Sequence, residues 1–293
     1  MAKSISTVQG GTRLVFDATE AITNTVDQMH ETIGRRPLPW ARQPDAPSRA
    51  HGLIAASVYT AIRSVNGLLR ESTDSLFDLL ATGDRGRSLS GGEIRTIAAL
   101  NGAFGDHLEA SGNALATPMN LIYSGRALAM QPEALAASIP QASPHLVVLV
   151  HGLSLSELSW NRSGGPSLGT LLQEEQGLTP IYLRYNTGRH ISTTGREFNS
   201  LLQQLCDAWP VPVESLSIIG HSMGGLVTRS ACWYAEQEEK SWLHRLQRVV
   251  CLGTPHHGSP VEKAGHAFDI AMRKIPYLAP LALGRHRSAG IKD

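Results

Sequence analysis

The rhythm of apolar positions changes once along the chain, near Pro118. Before that point it is helical. Val15, Ala18, Ile22, Val26, Met29 and Ile33 follow one helix face that ends at Gly34 and the Pro37-Leu38-Pro39 breaker. Beyond a Pro/Arg-rich connector, Ile54, Val58, Ile62, Val65, Leu69, Leu76 and Leu80 predict a long second helix that stops near Gly83. Gly91-Gly92 precede a third, with Ile94, Ile97, Phe104 and Leu108 on one face. Residues 1–125 therefore read as a helical N-terminal region packed on the rest of the chain. The sharper alternative is an amphipathic surface for a membrane or a partner.

After Pro118 the pattern is that of strands. Arg126 to Met130 fits a short one. Leu146-Val147-Val148-Leu149-Val150 is an unbroken apolar run of strand length, as expected of a strand covered on both faces. Further runs lie at Pro180 to Tyr185, Leu216 to Ile219 and Arg248 to Leu252. Helical stretches at Leu168 to Gln176, Gly195 to Trp209 and Gly225 to Glu239 separate them. This alternation predicts an α/β fold with a mainly parallel sheet and right-handed crossovers over residues 126–293.

Composition narrows the function classes. Of 293 residues, 42% are hydrophobic and 17% charged, the balance of a globular chain. A formal charge of +1 gives no general attraction to nucleic acid. Up to residue 140, 12 Lys and Arg stand against 13 Asp and Glu, which does not favour anionic lipid, although peripheral membrane contact stays open. The 3 cysteines, Cys206, Cys232 and Cys251, lack metal-ligand spacing and are expected to be buried free thiols in a reducing compartment. With no signal-peptide pattern and no apolar run of the ~18 residues that a membrane span needs, a cytoplasmic location is expected. No metal or organic cofactor is implied, because no Cys/His cluster occurs and the adjacent His256-His257 is a poor chelating pair.

The chemistry centres on Gly220-His221-Ser222-Met223-Gly224, a Gly-x-Ser-x-Gly pattern between an apolar β-branched run and a helical run. A serine at the tip of a sharp strand-to-helix turn is strained, and glycines two residues away on each side remove the clash with the turning backbone. The turn aims the Met223 backbone N–H at the space above Ser222, where an oxyanion would develop. The plainer reading is a Gly-rich turn with a buried serine. Two more motifs end predicted strands. His151-Gly152-Leu153 follows Val150, and its glycine lets the Leu153 N–H turn in as a second oxyanion donor, with His151 bracing the loop. Gly253-Thr254-Pro255-His256-His257-Gly258 closes the run through Leu252.

Together, Val148 to Leu153, Gly220 to Val227 and Gly253 to Pro260 resemble the α/β-hydrolase lipase/esterase lineage, in its triacylglycerol-lipase-like and GPI-inositol-deacylase-like branches. The resemblance spans residues 126 to 262, and Arg184 to Ile191 looks like a loop that bacterial members carry beside the site. It implies Ser222 as nucleophile, Leu153 and Met223 as oxyanion donors, and hydrolysis of a carboxylic, lipid-like ester through an acyl-enzyme. Serine also needs a histidine base and an orienting carboxylate. In this fold both follow the serine, on loops after two further strands. Only one further strand is evident here, so the domain reads as incomplete at its C-terminus. Asp269 with His286 has the required order without the strands, and His256 or His257 would approach from the neighbouring strand end. The favoured expectation puts the acid and base beyond Asp293. The helical pattern after Pro260 resembles the start of a lid, which favours an apolar acyl chain. A non-catalytic scaffold, and an acyltransferase or amidase on the same fold, are the alternatives. Oligomeric state is not legible.

Overall fold

A computed structural model describes residues 2–35, 59–60, 63–64, 66–67, 70–71, 74, 89–161, 164–257 and 289–292. The chain forms two compact units. Among the described residues, the first holds those up to 89 together with 113–115, and the second holds 90–112 and those from 116 onward.

In the first unit, helix α1 runs through Ala2–Arg35, and the described residues between 59 and 74 are helical. The two runs lie antiparallel. Arg13 pairs with Asp74 at 2.6 Å and Arg63 with Asp27 at 3.1 Å. Arg70 pairs with Asp17 at 2.5 Å, and the Asn66 amide donates to the Phe16 carbonyl at 3.1 Å. Partly exposed pairs of this kind contribute up to ~1 kcal/mol each, so the ladder sets alignment more than stability. The apolar face through Val15, Ile22 and Val26 is exposed, and the polar face is the one turned to the second helix.

The second unit is built on a six-stranded sheet. Its strands are β1 (Asn120–Tyr123), β2 (Arg126–Ala127), β3 (His145–Val150), β4 (Thr179–Arg184), β5 (Ser215–His221) and β6 (Leu246–Leu252), in the spatial order β2-β1-β4-β3-β5-β6. β4, β3, β5 and β6 are mutually parallel, while β1 is antiparallel to β2 and β4. The mixed, mostly parallel α/β fold is the one that the alternation predicts. The start of the sheet differs. The strand signal at Arg126 to Met130 holds for two residues, and the stronger strand is Asn120–Tyr123 before it. Ser124 at φ 46° and Gly125 at φ 77° turn the chain between them, the left-handed pair that a two-residue hairpin requires.

Among the described residues, the unit also holds helices α2 (Gly91–Ala110), α3 (Pro132–Ser138), α4 (Leu168–Gln176), α5 (Ile191–Ala208), α6 (Met223–Gln237) and the short α7 (Ala289–Lys292). α2 falls inside the stretch 1–125 yet packs in this unit. Ser90 and Glu93 start it with a reciprocal capping box. Apolar side chains from both faces of β3 are buried. Leu146, Val148 and Val150 join Ile181, Phe198, Leu202, Ile218 and Val227 in the main cluster, while Val147 and Leu149 pack with Trp160 on the other side. Each such side chain contributes roughly 1.5–3 kcal/mol by leaving water. The central strands are thereby held in fixed register, and their carboxyl ends are fixed with them.

Candidate active site

Strand register brings the three motifs to one edge. Val150 lies opposite Gly220, and His221 lies opposite Leu252 on the other side of β5. The Ser222 N–H donates to the Leu252 carbonyl at 2.8 Å, tying the serine to the end of β6.

Ser222 itself has φ 51° and ψ −121°, a conformation that side chains other than glycine seldom adopt and that costs on the order of 1–3 kcal/mol. It is half-buried, at the N-cap of α6. The surrounding glycines are required by contact, not only by flexibility. A Cβ on Gly220 would lie 2.6 Å from the Gly225 nitrogen, and one on Gly224 would overlap the Val150 and His151 carbonyl oxygens. The first turn of α6 is thus pressed against the end of β3. Gly152 faces the serine from that strand end, since a Cβ there would stand 3.1 Å from the Ser222 Cβ.

Among the described residues, the N–H groups of Leu153 and Met223 meet no protein acceptor, whereas the neighbouring Ser154 and Ser222 N–H groups do. Met223 opens α6, so its N–H is one of the helix-end donors with no partner in the helix, where the helix dipole also favours negative charge. Two free donors and a half-buried hydroxyl at adjoining strand ends are the components for stabilising a tetrahedral oxyanion.

His151 is fully buried and neutral. Burial pushes its pKa down to about 4, against a weaker opposing effect of its hydrogen bond to the Gly152 carbonyl. That bond, from Nδ1 at 3.0 Å, assigns the proton to Nδ1. Tyr185 stacks on the ring at 4.5 Å and donates its hydroxyl to the His151 carbonyl at 2.7 Å. These contacts join the His151 ring and backbone to the turn at Gly152 and to Tyr185. His221 is exposed and meets the Trp160 ring edge-on at 6.4 Å.

The base candidates separate. His256 Nδ1 is engaged by the Arg229 guanidinium at 2.8 Å, which makes that nitrogen an acceptor and directs the ring toward a structural pairing. His257 lies beside it, in the turn after β6. Among the described residues, no histidine is hydrogen-bonded to the Ser222 hydroxyl. Asp269 and His286, with Gly258 to Pro260 and the lid-like stretch, lie outside the described residues. No group of three or more His, Cys, Asp or Glu among the described residues has the arrangement of a metal site. Cys206 and Cys232 are half-buried, their thiols pushed up to about 11 by burial. Cys251 is exposed, contrary to expectation, on β6, which ends the sheet among the described residues.

Sequence reasoning missed the scaffold behind the site. Small residues of α2 press on the site loops, since a Cβ on Gly102 would overlap Ser154, and one on Gly105 would overlap Asn186. Asn186 donates to the Gly105 carbonyl at 2.8 Å and accepts from the Gly188 N–H at 2.9 Å, while Thr187 Oγ1 accepts from Ser154 N–H at 3.1 Å. Glu157, 5% exposed, forms a bidentate pair with Arg184 at the end of β4. The only signal in the sequence was the run of small residues in α2, which reads equally well as a weak helix.

Residues 144–274 match the family described as the PGAP1-like alpha/beta domain. The resemblance to the α/β-hydrolase lipase/esterase group, read above from the motifs, accordingly holds. Among solved structures, the mature form of the Bacillus licheniformis lipase BlEst2 is 21% identical with a TM-score of 0.35, covering 43% of this chain and 48% of that one. Its propeptide form is 22% identical with a TM-score of 0.34, covering 50% of this chain and 31% of that one. The match therefore spans less than half the length of those lipase chains. No curated protein matches the chain.

Proposed function

We propose that the protein is a serine hydrolase that cleaves carboxylic esters, with Ser222 as nucleophile. The observation that carries this reading is the backbone of Ser222 at φ 51° and ψ −121°, held between glycines that tolerate no Cβ. Strain of that order persists where the surroundings enforce it, and it presents the hydroxyl at the mouth of the strand ends. Attack on an ester carbonyl would form the Ser222 acyl-enzyme and release the alcohol. The oxyanion would be met by the Leu153 and Met223 N–H groups, and water would then release the acid. Removing one such donor typically costs ~10²–10³ in rate. The base candidates are His256, whose Nδ1 is engaged by Arg229, His257 and His286, while His151 is buried and neutral. Asp269 is the candidate acid. Free thiols fit a cytoplasmic setting. Among the described residues no helix is long and apolar enough to cross a membrane.

A series of p-nitrophenyl esters from acetate to palmitate tests the reading. Turnover that rises with acyl length and vanishes in Ser222→Ala supports a lipid-like ester. Turnover unchanged in Ser222→Ala overturns the role of the serine.

A second reading, a hydrolase-like scaffold without catalysis, rests on the Arg229–His256 pairing and on the absence, among the described residues, of a histidine bonded to Ser222. No turnover of any ester in the series favours it.

A further inference from the structure

α1 carries a second organised surface, far more regular than its membership of a helical region requires. Within Ala2–Arg35 the positions Ile5, Val8, Thr12, Val15, Thr19, Ile22, Val26, Met29 and Ile33 recur at alternating intervals of three and four. Seven of these nine are apolar and the other two are threonine. Where side chains of this helix are described the stripe faces solvent, with Val8 53%, Val15 63%, Ile22 64% and Val26 45% exposed. The opposite face is committed to polar contacts with the second helix. Arg13, Asp17 and Asp27 are paired with Asp74, Arg70 and Arg63 of the second helix.

From this arrangement we propose that the protein self-associates, α1 of one copy packing its heptad seam against α1 of another.

Three features select a second copy of this chain over other occupants. The first is the period. A straight helix drifts ~20° per heptad away from a strict seven-residue repeat, so a seam kept over four heptads would wander ~80° around a helix lying on a flat surface. Such a repeat stays in contact only with another helix that supercoils with it.

The second feature is charge. With the seam assigned to heptad positions a and d, the flanking e positions are Gln9, Phe16, Thr23 and His30, and the g positions are Ser4, Gly11, Ala18, Thr25 and Thr32. None is Lys, Arg, Asp or Glu. An identical copy therefore brings no like charges together, whereas a distinct partner helix is ordinarily selected by charges at these positions. A lipid surface is disfavoured for the same helix, whose Lys3, Arg13 and Arg35 are outnumbered by Asp17, Glu20, Asp27 and Glu31.

The third is length. At ~1.5 Å per residue the helix extends ~51 Å, long enough for a stable coiled coil. β-Branched residues at both seam positions favour more than two strands.

Sedimentation of the full-length chain tests this, alone and with vesicles of phosphatidylserine and phosphatidylcholine. Three variants accompany it: Val15→Glu with Ile22→Glu, Val15→Leu with Ile22→Leu, and Val250→Lys on the outer strand β6. The unmodified chain, the leucine variant and Val250→Lys are expected to sediment at no less than twice the chain mass. The glutamate variant should fall to a single chain with its far-ultraviolet circular dichroism retained. A single-chain mass for the unmodified protein overturns the proposal, with or without co-flotation on vesicles. So does association that survives the glutamates, or that is lost in Val250→Lys.

Discussion

The Tyr185 ring lies over the imidazole of His151 with centroids 4.5 Å apart, and its hydroxyl donates to the His151 carbonyl at 2.7 Å. The tyrosine thereby closes the pocket that keeps the histidine dry, and holds the backbone that must turn at Gly152 toward Ser222.

This burial makes stability depend on pH in a defined direction. His151 in the folded protein resists protonation down to about 4, against 6.5 for an ordinary histidine. Between those values the unfolded chain binds more protons, so stability rises with pH. The contribution is fully present above about 6.5 and is lost as pH falls toward about 4, amounting to about 3 kcal/mol. His151→Gln should remove this part of the slope. Urea midpoints at neutral and acidic pH check it, and parallel slopes for the two proteins would contradict it.

The Glu157–Arg184 pair gives an asymmetric prediction. Arg184→Met strands a carboxylate that is 5% exposed, at a cost of about 3–5 kcal/mol. Combining it with Glu157→Gln removes the buried charge, and most of that loss should be recovered. Thermal unfolding of the single and double variants decides it.

At Gly224 the prediction concerns fit. An added methyl meets the Val150 and His151 carbonyl oxygens, so Gly224→Ala must push α6 away from β3. A loss of about 1–3 kcal/mol is expected together with loss of ester turnover. Unfolding and hydrolysis assays on the one variant should move together.

Asn186 tests whether α2 supports the site loops. Asn186→Ala leaves the Gly105 carbonyl and the Gly188 N–H without their side-chain partner in a buried position. The expected cost is about 1–3 kcal/mol in urea unfolding. A neutral result would show that water replaces the amide.

Much of this was legible in the sequence, and the reasons are physical. A parallel strand covered on both faces must be continuously apolar, so Leu146 to Val150 declared itself. The glycines around Ser222 and the His151-Gly152 turn are demanded by backbone contacts that few other sequences satisfy, and register then brings them together. The support from α2 was hidden because it works through the absence of side chains at Gly102 and Gly105, which leaves no pattern. β1 was missed because its four residues depend on the Ser124-Gly125 turn for their register. For α1 the periodicity was evident but its direction was not. A helix pattern says which residues share a face, and only the ion pairs to Arg63, Arg70 and Asp74 reveal that the apolar face points outward.

The most direct test of Ser222 as an activated nucleophile is intact-mass measurement after exposure to a fluorophosphonate. Such probes react with activated serines and spare ordinary ones. The unmodified chain should gain one adduct, and Ser222→Ala should gain none. An unlabelled chain, or a Ser222→Ala variant that labels equally, would contradict the account.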